Sequence, residues 1–390
     1  MDIQNSDSKY RTAAAIVDRV LKQVVSVVVP GMSVAAVCSY ADQLIEANCQ
    51  AVFRKETTIE RGVAFPSTVS VNRIIQNYAP GPTDDYVLCE GDVAKIDISA
   101  HIDGCLASAA HTAVATNAPG TAIAGRRADA ISAAYYACEV AVRMIRPGQS
   151  ARNLVKALGL VAGGFNCTVA TDTYTSQIDR FVISGKNTFA NRFDPDMLVP
   201  DFTFETGETY TIDCTLSSGN GIARESSHGP TIYQRDVNQH HSLKLRTSRS
   251  LFSEICRRYS VFPFLMRNAV GDNASLKAGL SECVRSQLLV PFAVTMDKEH
   301  GDTFVAQFKA TVRCHHTGPI RLTRALPMPS AHSAIAIPPE SEIGQVLALD
   351  VEQANLPELP RLRLQIQTPL PTEASSASAS ASAGMDVDIP

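Results

Sequence analysis

Residues 91–114 read GDVAKIDISAHIDGCLASAAHTAV, and their pattern decides the fold. Val93, Lys95, Asp97 and Ser99 alternate with Ala94, Ile96 and Ile98, the period of two that a strand face requires. Gly104 permits a tight turn, and a second strand returns through Leu106 and His111. The stretch therefore predicts a β-hairpin with Asp97 projecting from its first strand.

The same opening recurs downstream. GDVAKID at Gly91 is echoed by GETYTID at Gly207, which puts Asp97 and Asp213 116 residues apart. A predicted helix from about Lys9 to Val28 carries Ala13, Ile16, Val20, Val24 and Val27 at helical spacing. Pro30-Gly31 stops it, and Ser33 can cap a second helix to about Asn48. That arrangement returns as a helix from about Ala130 to Ile145, then Pro147-Gly148, then Ser150 and a further helix, at an offset of 117. Two features recurring at nearly one offset imply two related α/β halves, about 10–125 and 126–325, each bringing an Asp-bearing strand to a shared centre.

The second half is interrupted. After Ser217-Ser218-Gly219 come a Gly/Ser/His-rich loop, a strand at Pro230–Gln234 and two predicted helices, about Ser248–Tyr259 and Ala274–Leu289. The core pattern resumes at Phe304–Val312, so 219–290 reads as an insert within a main domain of residues 9–326. Residues 1–8 read as a disordered N-terminus. Past about Pro327, Pro and Ser accumulate, ASSASASASAG (Ala374–Gly384) is low in complexity, and 327–390 reads as a disordered tail.

The 390 residues carry a net charge of −4, so a nucleic-acid contact has to be a local patch. Ten scattered cysteines without a CxxC pair read as buried free thiols in a reducing compartment. No apolar run approaches the roughly 20 residues of a membrane span, and the N-terminus has no signal core. The expectation is a soluble, intracellular protein. His101, His111, His228, His240-His241 and His315-His316 show no metal-ligand spacing and read as packed or surface side chains.

AFPSTVSVN (Ala64–Asn72), KIDISAHIDG (Lys95–Gly104) and VAQFKATV (Val305–Val312) together resemble the methionine aminopeptidase, or pita-bread, fold, closest to its type 2 members with a helical insert. With TIYQRD (Thr231–Asp236), LKLRTSRSLFSEICRRY (Leu243–Tyr259) and LLVPF (Leu288–Phe292), the chain is most similar to the proliferation-associated, ErbB-binding family, which has the fold without the peptidase activity. The resemblance covers about 10–325 and implies where the peptidase's metal ligands would lie. The first Asp falls on Asp97, the second on Ser108, the His on Ser176, the first Glu on Asp213 and the last Glu on Lys309. The substrate His falls on Asn77. Two carboxylates of five ligands remain, and a lysine in a dinuclear site repels the metals that would polarise a peptide carbonyl. The expectation is a pseudoenzyme without metal or other cofactor.

Surface then has to carry function. Residues 219–290 hold ten Lys/Arg against five acids, a local charge of +5. On a helix through 246–260, Arg246, Arg249, Ser253 and Arg257 form one stripe, opposite Leu251, Ile255 and Tyr259. With Lys244 and Arg258 this stripe suits phosphates, which arginine grips with paired hydrogen bonds. The resemblance implies binding to the large ribosomal subunit, through rRNA and proteins near the nascent-chain exit, in translation control or subunit maturation. It also implies association with structured RNA and passage between cytoplasm and nucleolus. The family's better-known animal members end in a lysine-rich tail, whereas this chain ends in Ser/Ala and MDVDIP. Two alternatives stand beside this reading: a divergent metallo-aminopeptidase, and an adaptor that binds signalling or transcription proteins on its outer helices.

Overall fold

The computed structural model describes residues 3–81, 85–118, 120–193, 202–271 and 274–361. Helices α1 (Ile3–Ser26) and α2 (Val34–Ala51) lead into strands β1 (Arg61–Val71) and β2 (Ile74–Gln76) and the hairpin of β3 (Val93–Ile102) and β4 (Cys105–Val114). Helices α3 (Arg126–Met144) and α4 (Ala151–Gly164) precede β5 (Thr168–Val169), β6 (Tyr174–Ile178), β7 (Thr188–Ala190) and β8 (Thr209–Ser217). The insert region contains β9 (Ala223–Glu225), β10 (Ile232–Arg235), α5 (Arg246–Tyr259), β11 (Phe264–Leu265), α6 (Met266–Val270), α7 (Ala274–Arg285), β12 (Leu289–Phe292) and β13 (Thr295–Asp297). The chain then returns through β14 (Val305–His315) and β15 (Gly318–Arg321) to α8 (Glu342–Leu347) and β16 (Glu352–Gln353).

One large sheet runs in the order β1-β3-β4-β14-β8-β6-β7, with β5, β15 and β16 at its margins. Strand alternation assigns its two faces. Ile96, Ile98 and Ala100 of β3 pack in one core with α1 and α2, while Ile212, Cys214 and Leu216 of β8 pack in a second core with α3 and α4. The intervening residues (Asp97 and Ser99, Thr211 and Asp213) face the other side. The two-half reading holds down to single hydrogen bonds. Ser33 caps α2 by accepting from Ala36 N–H, and Ser150 caps α4 by accepting from Asn153 N–H. Gly31 N–H donates to Leu88 O, and Gly148 N–H donates to Phe204 O.

Three sequence expectations need correction. Residues 3–8 belong to α1, because Asp7 pairs with Arg11 one turn on and with Arg313 of β14, tying the first turn to the sheet. Residues 327–361 form an ordered strap. Met328, Ile335, Ile337, Val346 and Leu347 pack on the second core, β16 pairs with β15, and Arg19 donates to the carbonyls of Leu359 and Pro360. These apolar side chains are spaced among the prolines, so composition masked them. The low-complexity stretch expected in the tail lies outside the described residues. The insert, finally, is more than two helices and one strand: β11-β10-β12 form a sheet, and the Ser226 N–H to Val294 O bond closes its base.

Candidate functional site

The pairing register aligns Asp97, Ala110, Lys309 and Asp213 in one row across β3, β4, β14 and β8. Neighbouring side chains in such a row sit about 5 Å apart. Ala110 puts only a methyl group between Asp97 and Lys309, so the lysine reaches over it. Its ammonium lies 3.0 Å from Asp213 Oδ2 and also bonds Asp97 Oδ2. Gln307 Nε2 donates to both Asp213 oxygens at 2.9 Å and to Asp97 at 3.3 Å, and Thr215 Oγ1 donates to Asp213. Burial works against a charge on Lys309, but the two carboxylates outweigh it and hold the ammonium above its ordinary pKa. Burial, with Asp213 adding to it, lifts Asp97 against the pull of Lys309. Two carboxylates share one ammonium.

The next row is built of hydroxyls. Ser99 faces Ser108, and Ser176 faces Thr211. Ser99 and Ser108 share a short hydroxyl bond, and Thr311 Oγ1 donates to Ser108 O and accepts from Ser108 N–H, both at 2.9 Å. Ser108 and Ser176 thus stand beside the Asp97–Lys309–Asp213 row, where they supply hydroxyls in place of charged side chains. Asn77 is held elsewhere: it has a positive φ of 66° and donates to Ala293 O at 2.9 Å. Gln307 and Ala110 were missed by sequence reasoning. Gln307 was visible as the second residue before Lys309 on the same strand face, whereas Ala110 needed the register.

Helix α5 buries Leu251 and Ile255 and exposes Lys244, Arg246, Arg249, Ser253, Arg257 and Arg258 at or before its outer face. Its N-terminus lacks a side-chain cap of its own, and Glu282 of α7 accepts from the N–H groups of Lys244 and Leu245 instead. Arg249 Nη1 is pinned by the carbonyls of Leu243 and Lys244. Arg257 is clamped by Glu254 at 2.6 Å, and Arg258 donates to Asn268 O. Glu254, which is not part of the predicted stripe, sits three residues before Arg257 and offsets part of its charge.

The metallopeptidase family M24 matches residues 8–169. Proliferation-associated protein A of Dictyostelium discoideum is 35 % identical over 84 % of this chain and 84 % of its own length. The chain belongs to the proliferation-associated, ErbB-binding family. ErbB-3 binding protein 1 of Solanum tuberosum is 36 % identical over 81 % of this chain and 80 % of its own length. A more distant relative, 30 % identical over 74 % of this chain and 79 % of its own, is named probable metalloprotease arx1 in Schizosaccharomyces pombe. The solved structure of a thermophilic Arx1 superposes with a TM-score of 0.82 at 27 % identity, over 90 % of this chain and all of that one. Methionine aminopeptidase of Thermotoga maritima, at 17 % identity over 83 % of this chain and 98 % of its own, gives a TM-score of 0.54, a likeness of fold. The family fold is thus the pita-bread fold of the M24 metallopeptidases.

That fold implies a dinuclear metal centre, and the residues at this family member's centre do not fit one. Its two carboxylates are bound by an ammonium and an amide, and the remaining positions carry hydroxyls. Among the described residues, no group of three His, Cys, Asp or Glu side chains is arranged to hold a metal ion. What the row can do chemically is bond three strands from both halves through one lysine.

Proposed function

We propose that this protein is a peptidase-fold protein without peptidase activity that docks on the large ribosomal subunit through its insert. The observation that carries the docking is the exposed basic face of α5, where Arg249 is fixed by backbone carbonyls and Arg246 projects beside it. Lys309 supports the loss of chemistry, because metal binding to Asp97 and Asp213 would first have to expel its ammonium. The partners are rRNA phosphates and exit-site proteins, and the role is translation regulation or ribosome biogenesis in cytoplasm and nucleolus. Guanidinium groups that give up Glu254 or water for phosphate release counterions, so docking weakens as salt rises.

Co-sedimentation with purified large subunits across a salt series tests the docking. Wild type is expected to pellet at low salt and leave the pellet as salt rises, while Arg249→Glu/Arg257→Glu stays in the supernatant throughout. Pelleting of that variant like wild type overturns α5 as the docking face. Release of methionine from an N-terminal Met-peptide, with cobalt or manganese added, overturns the loss of chemistry.

A further inference from the structure

Strands β2, β13 and β9 form a small sheet with β13 in the middle. Met296 of β13 lies between Ile74 and Arg224, and the carbonyl of Arg73 accepts from Asp297 N–H at 2.9 Å. Arg73 and Arg224 therefore flank the turn after β13 from opposite sides. His300 on that turn sits between them: Arg73 Nη1 is 2.9 Å from its Nδ1, and Arg224 Nη2 is 3.2 Å from its Nε2. A neutral imidazole has one lone pair and one N–H, so it accepts from only one of the two guanidinium groups. Among the described residues, neither arginine is ion-paired with a carboxylate. The neighbouring Asp297 is committed to Ser217 Oγ and to the N–H groups of Gly221 and Glu299. Arg224 Nη2 also reaches Met296 Sδ at 3.7 Å, a weak acceptor, so two cations and a ring converge on one exposed point without a charged acceptor among the described ion pairs.

Beside Arg73 opens a cavity of about 380 Å³, at the small end of ligand-sized pockets. Tyr78, Tyr86, His228 and Phe304 wall it. Tyr78 and His228 meet at a tilt of 56° with ring centroids 4.9 Å apart, and Tyr86 is 36 % exposed. An aromatic slot next to an acceptor-poor arginine pair is the combination that holds an unpaired nucleotide: the base stacks and the phosphate takes the paired N–H donors. We propose that Arg73, Arg224 and His300 hold a phosphate of single-stranded RNA whose base enters the Tyr78–Tyr86–Phe304 cavity. A phosphoserine or phosphothreonine peptide would engage the arginines and leave the aromatic wall unused, whereas a phosphotyrosine peptide can use both and is the stricter competitor. This site is separate from α5, and its test needs no ribosome.

The test is anisotropy of a fluorescein-labelled 12-mer RNA, single-stranded and annealed to its complement, with wild type, Arg73→Ala/Arg224→Ala and Arg249→Glu/Arg257→Glu. The strand is expected to bind more tightly than the duplex. The Arg73/Arg224 variant, with an unfolding midpoint matching wild type, is expected to lose about tenfold in affinity, and its log–log salt slope to fall by about 0.7 to 1.4. The Arg249/Arg257 variant keeps the strand, so loss of subunit pelleting and loss of strand binding are read separately. A 4-thiouridine strand is expected to crosslink to Tyr86, because Phe304 is buried beneath Arg127. Equal binding by the Arg73/Arg224 variant, no binding by wild type, or equal competition by duplex or by a phosphotyrosine peptide each overturns the proposal.

Discussion

The hairpins β3–β4 and β8–β14 hold equivalent places in the two halves and differ almost entirely in what joins their strands. Ile102 pairs with Cys105 across a two-residue turn, and both its residues, Asp103 and Gly104, have positive φ. Ser217 pairs with Val305, and the 87 residues between them carry the insert. The strand faces are alike, so the pairing is set by burial and by the shared row at the centre, not by the connection. Loop-closure entropy grows only logarithmically with length, which makes a hairpin tip the cheapest place to graft a domain. The first tip is not indifferent to the graft, however. His101 stacks on Phe262 of the insert at 4.0 Å, whereas its counterpart 116 residues on, Ser217, bonds Asp297 at the insert's return.

The largest expected effect tests the row where the hairpins meet. Lys309→Met leaves two buried carboxylates without their ammonium, which costs about 3–5 kcal/mol in urea unfolding. Adding Asp97→Asn and Asp213→Asn is expected to recover most of that loss. If Lys309→Met alone unfolds like wild type, the halves are not joined through this row.

A smaller effect sharpens the difference between the tips. Burial pushes His101 down to about 4, with only Asp103 pulling the other way. A ring kept neutral in the fold contributes stability that is complete above its unfolded value of 6.5 and is lost as pH falls toward 4. The contribution is roughly 3 kcal/mol. Asp18 and Asp42, lifted by burial to about 7 and about 6, act oppositely, since their protonation favours the fold as pH falls. The informative quantity is therefore the stability of wild type minus that of His101→Asn, expected to shrink between pH 7 and pH 4. Parallel curves would mean that the insert does not seal the first tip.

The smallest effect tests how alike the halves are. Ser33→Ala and Ser150→Ala each remove one N-cap and are expected to cost about 1 kcal/mol in urea unfolding. Ser33 should cost the more, because its hydroxyl also bonds Asp85. A negligible effect at either position would show that the repeated cap has been replaced there by tertiary contacts.

Much of this was legible in the sequence, because the signals are local and repeated. Alternation gave the hairpin and its Asp, and the recurring Pro-Gly-X-Ser cap signalled the second half. The meeting of Asp97, Lys309 and Asp213 was foreseeable from the family resemblance. That Ala110 makes it possible was not, since register between β4 and β14 is set by residues two hundred positions apart. The Arg73–His300–Arg224 cluster was hidden for the same reason: three strands from distant segments assemble it. Composition misled at both ends, where Asp7 and the apolar residues of 328–359 are ordered by partners in other parts of the chain.

The strap has a consequence in time. It ties α1, through Arg19, to the helices of the second half, and it is the last described stretch to be translated. At about 5–20 residues per second, its 35 residues take roughly 2–7 s to synthesise after β15 is complete. During that interval both halves are synthesised but unclasped, with the part of the second core that Met328, Ile335 and Val346 cover left bare. Closure of this molecule is thus an event at the end of its own synthesis, and a chain truncated near residue 327 is expected to contain every strand of the central row yet remain open.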